Sequence, residues 1–160
     1  MEKIDKILNS DLFNGYISEN AKEEKNRQFC KHDMGHAMDV ARIAWILNLE
    51  EETGVTKELV YATALLHDIG RHLQYRDGTP HEQAGAALAQ EILEECGFGE
   101  AECKEIIHAI SSHRNKEMMK ANDLAGIIYR ADKMSRPCYA CRVEKDCNWK
   151  QDKKNMVIKY

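Results

Sequence analysis

Proline and glycine are scarce in this chain, at 2 and 9 of 160 residues. That excludes collagen-like and proline-rich extended architectures and leaves few places where a helix must stop. Aromatic residues are sparse at 7%, and no convincing stretch alternates apolar with polar residues, so a β-sandwich or barrel is not expected. No apolar run approaches the roughly 20 residues of a membrane helix. A basic excess is also missing: the formal net charge is −4, which does not mark the chain as a nucleic-acid binder. The opening MEKIDKILNSDLF is charged throughout, unlike a signal peptide. The expectation is a soluble, cytoplasmic protein whose six cysteines are reduced, with no membrane partner.

What is there is helical. Hydrophobic residues make up 43% of the chain, enough for one domain with a real core. At the start, Ile4, Ile7, Leu8 and Leu12 fit one helical face. A helix over about 33–49 gathers Val40, Ile43, Ala44 and Leu47 on one side, and Gly54 marks the break after it. Thr56 is placed to cap the next helix, which runs through KELVYATALLHD to Gly70. Residues 71–79 read as a loop, with Thr79 as cap and Pro80 as first residue of the helix that Gly97 stops. EAECKEIIHAISSH and DLAGIIYRADKMS supply two more helices, the last ended by Pro137. The expected architecture is an all-α bundle over 1–137, with a cysteine-containing tail, 138–160, packed on the same domain. From Arg142 to Tyr160 six Lys/Arg face three Asp/Glu, a local +3 that leaves −7 on the rest.

Several metal-ligating side chains sit where core residues belong. His36 lies four residues before Val40 and shares its apolar face. His67 and Asp68 close the helix that begins after Thr56, where a carboxylate opposes the helix dipole and calls for a nearby cation. His81 opens the following helix. His113 follows Ile110 by three and Ile106 by seven, and Asp132 shares helical spacing with Ala125, Ile128 and Ala131. A single inward histidine is readily satisfied by a backbone carbonyl. Two inward carboxylates and several inward imidazoles from separate helices instead suggest a shared divalent ion, which removes the cost of unpaired buried charge. Such a donor set suits iron, manganese, zinc or nickel.

The series His36, His67-Asp68, Asp132 resembles the HD superfamily of metal-dependent phosphohydrolases. LLHDIGR is similar to its HDIG motif, HDMGHAMDVARIA to its first-histidine helix and YRADKMSR to its last-aspartate helix, over about residues 30–136. The resemblance implies an all-α HD bundle in which His36, His67, Asp68 and Asp132 hold one divalent metal (Fe, Mn, Mg, Ni or Zn). It also implies that, as in some branches, Asp68 bridges to a second ion on His81 and His113. Cyclic-dinucleotide phosphodiesterases in this family carry paired histidines and a GYP motif; here Ser112 replaces one histidine and GYP is missing. The implied reaction is hydrolysis of a phosphoester or phosphoanhydride in a small phosphorylated substrate, a nucleotide or dinucleoside polyphosphate. No stable nucleic-acid partner is expected, and the oligomeric state stays open. Asp68 and Arg71 are the expected catalytic residues, and Arg71, Arg114, Lys133 and Arg136 are the candidates to grip phosphate. Two alternatives remain: a non-catalytic module that senses a nucleotide or metal, and a di-iron oxygenase. His108 is about 140° round the helix from His113 and reads as surface or support. His32 is placed at a helix mouth, and His72 in a loop.

A second cluster lies outside that resemblance. Cys138, Cys141 and Cys147 occupy RPCYACRVEKDC, a Cys-x-x-Cys with a third cysteine six positions on. Cys30 precedes His36 by six, and Cys138 follows Asp132 by six. An ion shared by His36 and Asp132 therefore puts Cys30 and Cys138 within roughly 20 Å of it. The four together suit a structural zinc first and an iron–sulfur cluster second. Cys96 and Cys103 read as packing residues.

Overall fold

Helix caps divide the chain. The computed structural model describes residues 1–160: eight α-helices, four short 3₁₀ turns and no strand. The helices are α1 (Glu2–Asn9), α2 (Asp11–Glu23), α3 (Met34–Glu50), α4 (Lys57–Leu66), α5 (Arg71–Asp77), α6 (His81–Glu95), α7 (Glu100–Ser112) and α8 (Leu124–Met134). Ser10, Asp33, Thr56 and Asp123 each accept an orphan amide of the first turn, from Phe13, His36, Leu59 and Gly126. Gly97, at φ +84°, follows the cap of α6 and ends it in a left-handed turn.

α3 packs on α4 and α8, and α7 packs on α6, α8 and α4. The expected α3 face is buried: Val40, Ile43, Ala44 and Leu47. Leu65, Leu66, Ile92, Ile106, Ile110 and Ile127 meet it from the other helices in one continuous core. No helix is long and apolar enough to cross a membrane.

Three expectations need correction. The amino-terminal face is interrupted, because the extended Ser10 ends α1 and caps α2. Ile4 and Ile7 are buried, whereas Leu8 is exposed. Residues 71–77 are not loop but α5, packed on α2 and α6 and closed by Gly78 at φ +83°. Seven residues with two arginines and an aspartate show no apolar stripe, so the pattern gave no sign of it. Thr79 does not cap α6; its hydroxyl and amide both go to Asp77 Oδ1, and Pro80 stands at the cap position without a side-chain acceptor.

α2 and α5 hold the turn His67–Gly70 between them. The buried Asn20 of α2 donates to the Asp68 carbonyl at 3.0 Å and accepts the His72 amide at 2.7 Å. His72 is therefore buried, not in a loop. Its Nδ1 lies 3.0 Å from the Ile69 carbonyl, and the ring stacks on Tyr16. Asn20→Ala strands a buried carbonyl and a buried amide, each worth about 1–3 kcal/mol. The variant is expected to unfold about 2–4 kcal/mol more easily in denaturant. A loss below about 0.5 kcal/mol would show that the clamp is idle.

Candidate metal centre

Helix ends converge on one point. His36 lies in the first turn of α3, and His67 and Asp68 in the turn after α4. His81 is the first residue of α6, His113 caps the end of α7, and Asp132 lies near the end of α8. Two groups result, each with its ligand atoms within 4.8 Å of one another: His36, His67 and Asp132; and Asp68, His81 and His113.

Asp68 links them. Its Oδ2 lies 3.1 Å from His67 Nε2 and 3.5 Å from His36 Nε2. Its Oδ1 lies 3.1 Å from His81 Nε2 and 3.8 Å from His113 Nε2. Asp132 Oδ1 is 3.5 Å from His36 Nε2.

Hydrogen-bond polarity tests whether cations fit here. His67 Nδ1 is 2.7 Å from the Ala64 carbonyl, and His113 Nδ1 is 2.6 Å from that of Ile110. His81 Nδ1 meets Gln74 Oε1. A carbonyl oxygen only accepts, so Nδ1 carries the proton and each Nε2 turns a lone pair inward. The His81 and His113 lone pairs then face each other at 3.0 Å, beside carboxylate oxygens. His36 Nε2, His67 Nε2 and Asp68 Oδ2 are buried without a hydrogen-bond partner. Acceptors crowding acceptors are reconciled by divalent cations, and the donor set fits them.

The electrostatics agree. Burial favours neutral Asp68, but the imidazoles of His67 and His36 and the Arg71 guanidinium around it hold it well below the usual carboxylate range. Burial likewise opposes ionised Asp132, and His36 and Lys133 overcome it. Burial pushes His113 down to about 3, against the pull of Asp68, so it is neutral at any physiological pH. His36 goes the other way: burial lowers it, but Asp132 and Asp68 outweigh that and raise it to about 9.

An incoming ion must therefore displace a proton from His36. Its affinity is expected to rise about tenfold per pH unit, levelling above pH about 9. The ion-free fold shows the opposite trend. Its protonated His36 contributes stability below the ordinary value of 6.5, and that is lost as pH rises through about 9. Calorimetric metal titration and thermal unfolding across this range check both trends. A pH-independent affinity would remove His36 from the ligand set.

Around the ligands lies a network that sequence reasoning missed: the sequence singles out Arg71 and His32 but neither their pairing nor Glu24, Gln74 and Glu82. Arg71 Nε donates to Asp68 Oδ1 at 3.1 Å, and its Nη2 donates to His32 Nε2 at 2.8 Å. His32 Nδ1 then donates to Glu24 Oε1 at 2.5 Å. Burial would raise the Glu24 carboxyl. Hydrogen bonds from the His32 ring and amide and from Tyr75 hold it down at about 2. Glu24, His32 and Arg71 thus form a chain ending on Asp68, and His32 does more than occupy a helix mouth. Gln74 of α5 orients His81, and Glu82 Oε2 lies buried 3.7 Å from His81 Nδ1. The sign available in advance was the E/H/R composition; its pairings span 8 and 39 positions and follow no periodicity.

The other expected cations scatter. Lys133 Nζ is against Asp132 Oδ2 and 3.4 Å from the His113 carbonyl, at the centre. Arg114 is half exposed, 3.5 Å from Glu82. Arg136 turns towards the tail, its guanidinium 4.3 Å from the Trp149 ring centre. His108 is exposed. Cys96 and Cys103 are buried in the core. Cys30, Cys138, Cys141 and Cys147 are half-buried on the wall of one cavity of about 420 Å³, which His36 also lines. Burial pushes the Cys30 thiol up, and the neighbouring Cys138 and Cys141 add to it.

Comparison with known proteins adds a lineage to this geometry. The profile of the HD domain matches residues 33–136. An uncharacterized protein of Clostridium beijerinckii is 46% identical over 160 residues, 100% of both chains. Ribonuclease Y of Oleidesulfovibrio alaskensis is 32% identical over 107 residues, 67% of this chain but 18% of that protein. Ribonuclease Y of Cutibacterium acnes is 36% identical over 84 residues, 52% of this chain and 14% of that one. The chain thus spans under a fifth of the length of these ribonucleases. The crystal structure of a predicted HD superfamily hydrolase from an uncultured Thermotogales bacterium superposes with a TM-score of 0.64. That match has 24% identity over 89% of this chain and 81% of that one, a likeness of fold.

Proposed function

The chain belongs to the HD-domain family, and on that premise we propose that it is a metal-dependent phosphohydrolase with a two-ion centre. The observation that carries this reading is Asp68, whose two oxygens face two separate ligand groups. His36, His67 and Asp132 would hold one ion, His81 and His113 the other, with Asp68 shared. Bound divalent ions supply Lewis acidity, acidifying water and polarising a phosphoryl oxygen. The protein's own groups do the rest. Asp68 would orient the attacking water as a hydrogen-bond acceptor. Arg71, fixed by Asp68 and His32, and Lys133, beside Asp132, offer positive charge on either side of the centre.

The substrate in this reading is a nucleotide or dinucleoside polyphosphate, whose adjacent phosphates would engage both cations. A net charge of −4 favours a small substrate over a nucleic acid. Anaerobic purification with metal analysis, followed by a screen of nucleotides, dinucleoside polyphosphates and a short RNA, tests it. The expected result is hydrolysis of a polyphosphate that tracks metal content. RNA belongs in the screen because the ribonuclease Y relatives align over much of this chain. Cleavage of RNA alone would replace the nucleotide reading. Nucleotide binding without turnover would support a sensor instead, and iron-dependent oxygen consumption an oxygenase.

A further inference from the structure

The four tail-side cysteines lie outside the HD centre and outside its chemistry. They come from two distant segments, Cys30 before α3 and Cys138, Cys141 and Cys147 after α8, yet line one cavity of about 420 Å³. None is in a disulfide.

The tail around them has little else to hold it. Residues 136–160 add nothing to the apolar core and form no α-helix and no strand, only three 3₁₀ turns of three residues each. A few polar ties bring the segment back. Asn155 Nδ2 donates to the carbonyls of Lys133 and Arg136 at 2.7 and 3.0 Å, and its own carbonyl accepts the Tyr139 amide at 2.9 Å. A segment without a core keeps a fixed fold through disulfides or a metal. The first is not present.

Spacing then selects the metal. A tetrahedral zinc with Zn–S bonds of about 2.3 Å draws its thiolates to about 3.8 Å from one another. In this protein the groups gathered within 4.8 Å are the two His/Asp groups, and no three of the four thiols meet that spacing. A four-iron, four-sulfide cluster takes each of four thiolates on a different iron, so its ligands stand apart around a larger body. The cavity wall carries Lys31, Arg136 and Lys154 against Asp33, Asp39 and Glu144, so its fixed charges cancel and the thiolate charge falls to the iron.

We propose that Cys30, Cys138, Cys141 and Cys147 hold a four-iron, four-sulfide cluster in this cavity, binding the tail to the bundle beside His36. The four thiols lose their protons on ligation, so binding is by thiolate.

The test uses the full chain, purified without oxygen and reconstituted with ferric iron, a thiol reductant and sulfide, so that ferric and ferrous iron are both supplied. Acid-labile sulfide is the discriminating readout, since iron on histidines and carboxylates carries none. About four sulfides per chain are expected, with broad visible absorption. Cys141→Ser and Cys147→Ser are each expected to lose both signals under the same treatment. Asp68→Ala, which removes the bridging ligand of the other centre, is expected to keep them. Wild-type chain without sulfide overturns the proposal whatever the variants do. So does a zinc ion that leaves with Cys141→Ser, and so does sulfide that survives both cysteine replacements.

Discussion

Asp68→Ala is expected to lose both ions and to cut hydrolysis by more than about 100-fold, beyond what losing an outer-shell partner costs. The reason is geometric. One oxygen of Asp68 approaches His36 and His67, and the other approaches His81 and His113. Removing one side chain therefore opens both groups. Replacing His113 opens only one, so His113→Ala is expected to retain the ion on His36, His67 and Asp132. Asp68 lies in the turn after α4 and contributes nothing to the apolar core, so far-ultraviolet circular dichroism should be unchanged. Asp68→Asn keeps the shape, the neutral acceptor and the Asn20 clamp on the backbone. It should bind ions more weakly than wild type and better than the alanine variant. Elemental analysis and turnover on one preparation decide the matter. An Asp68→Ala protein that keeps two ions removes the bridging role.

Gly70→Ala is expected to be the single-methyl change that most disturbs the metal centre. A Cβ there would meet Gly85 N at 2.5 Å, the His81 carbonyl at 2.7 Å and Ala84 Cβ at 2.8 Å. Two of these are backbone atoms of α6, so relief requires the whole start of that helix to move. Overpacking of this kind costs about 1–3 kcal/mol, and the rigid neighbours place it at the upper end. His81 would move with the helix, so the second ion should be lost before the first. Gly85→Ala is the control from the other side of the contact. Its added carbon finds ordinary neighbours at 3.4–3.6 Å, and a helical alanine is favoured over glycine, so little change is expected. Denaturant unfolding and metal stoichiometry of the two variants separate close approach from general loss of glycine. Equal behaviour of the two would contradict the close-approach argument. Gly70 itself has φ −82°, outside the left-handed region. Its part is to admit α6, and it does not need glycine's conformational freedom to end α4.

The difference between what could be read in advance and what could not follows the range of the interactions. Val40, Ile43, Ala44 and Leu47 declare a helical face because their spacing is local. Thr56 and Gly97 act within one turn of their own helices, and both are where they were expected. α5 has no local signature because its one buried residue is His72, a polar side chain satisfied by Asn20 from 52 positions away. Glu24 and Asn20 look like surface residues in a polar helix, yet both are buried and hydrogen-bonded to the turn or to its neighbours. Arg71 was expected to point at phosphate. Its guanidinium is instead shared between Asp68 and His32, so it holds the carboxylate in place as well as carrying charge.

By itself, then, the sequence determined the all-α class, the identity of the six clustered histidines and aspartates, and the family to which their order belongs. Helix period, capping residues and side-chain chemistry are local properties, and they survive without coordinates. Only the tertiary structure decided that Asp68 stands between two groups, that Nδ1 of His67, His81 and His113 is tied off so that their Nε2 atoms face inward, and that four cysteines line one cavity. Those facts depend on where helix ends meet. That is set by the packing of α3, α4, α6, α7 and α8 on one core, over separations to which no sequence period extends.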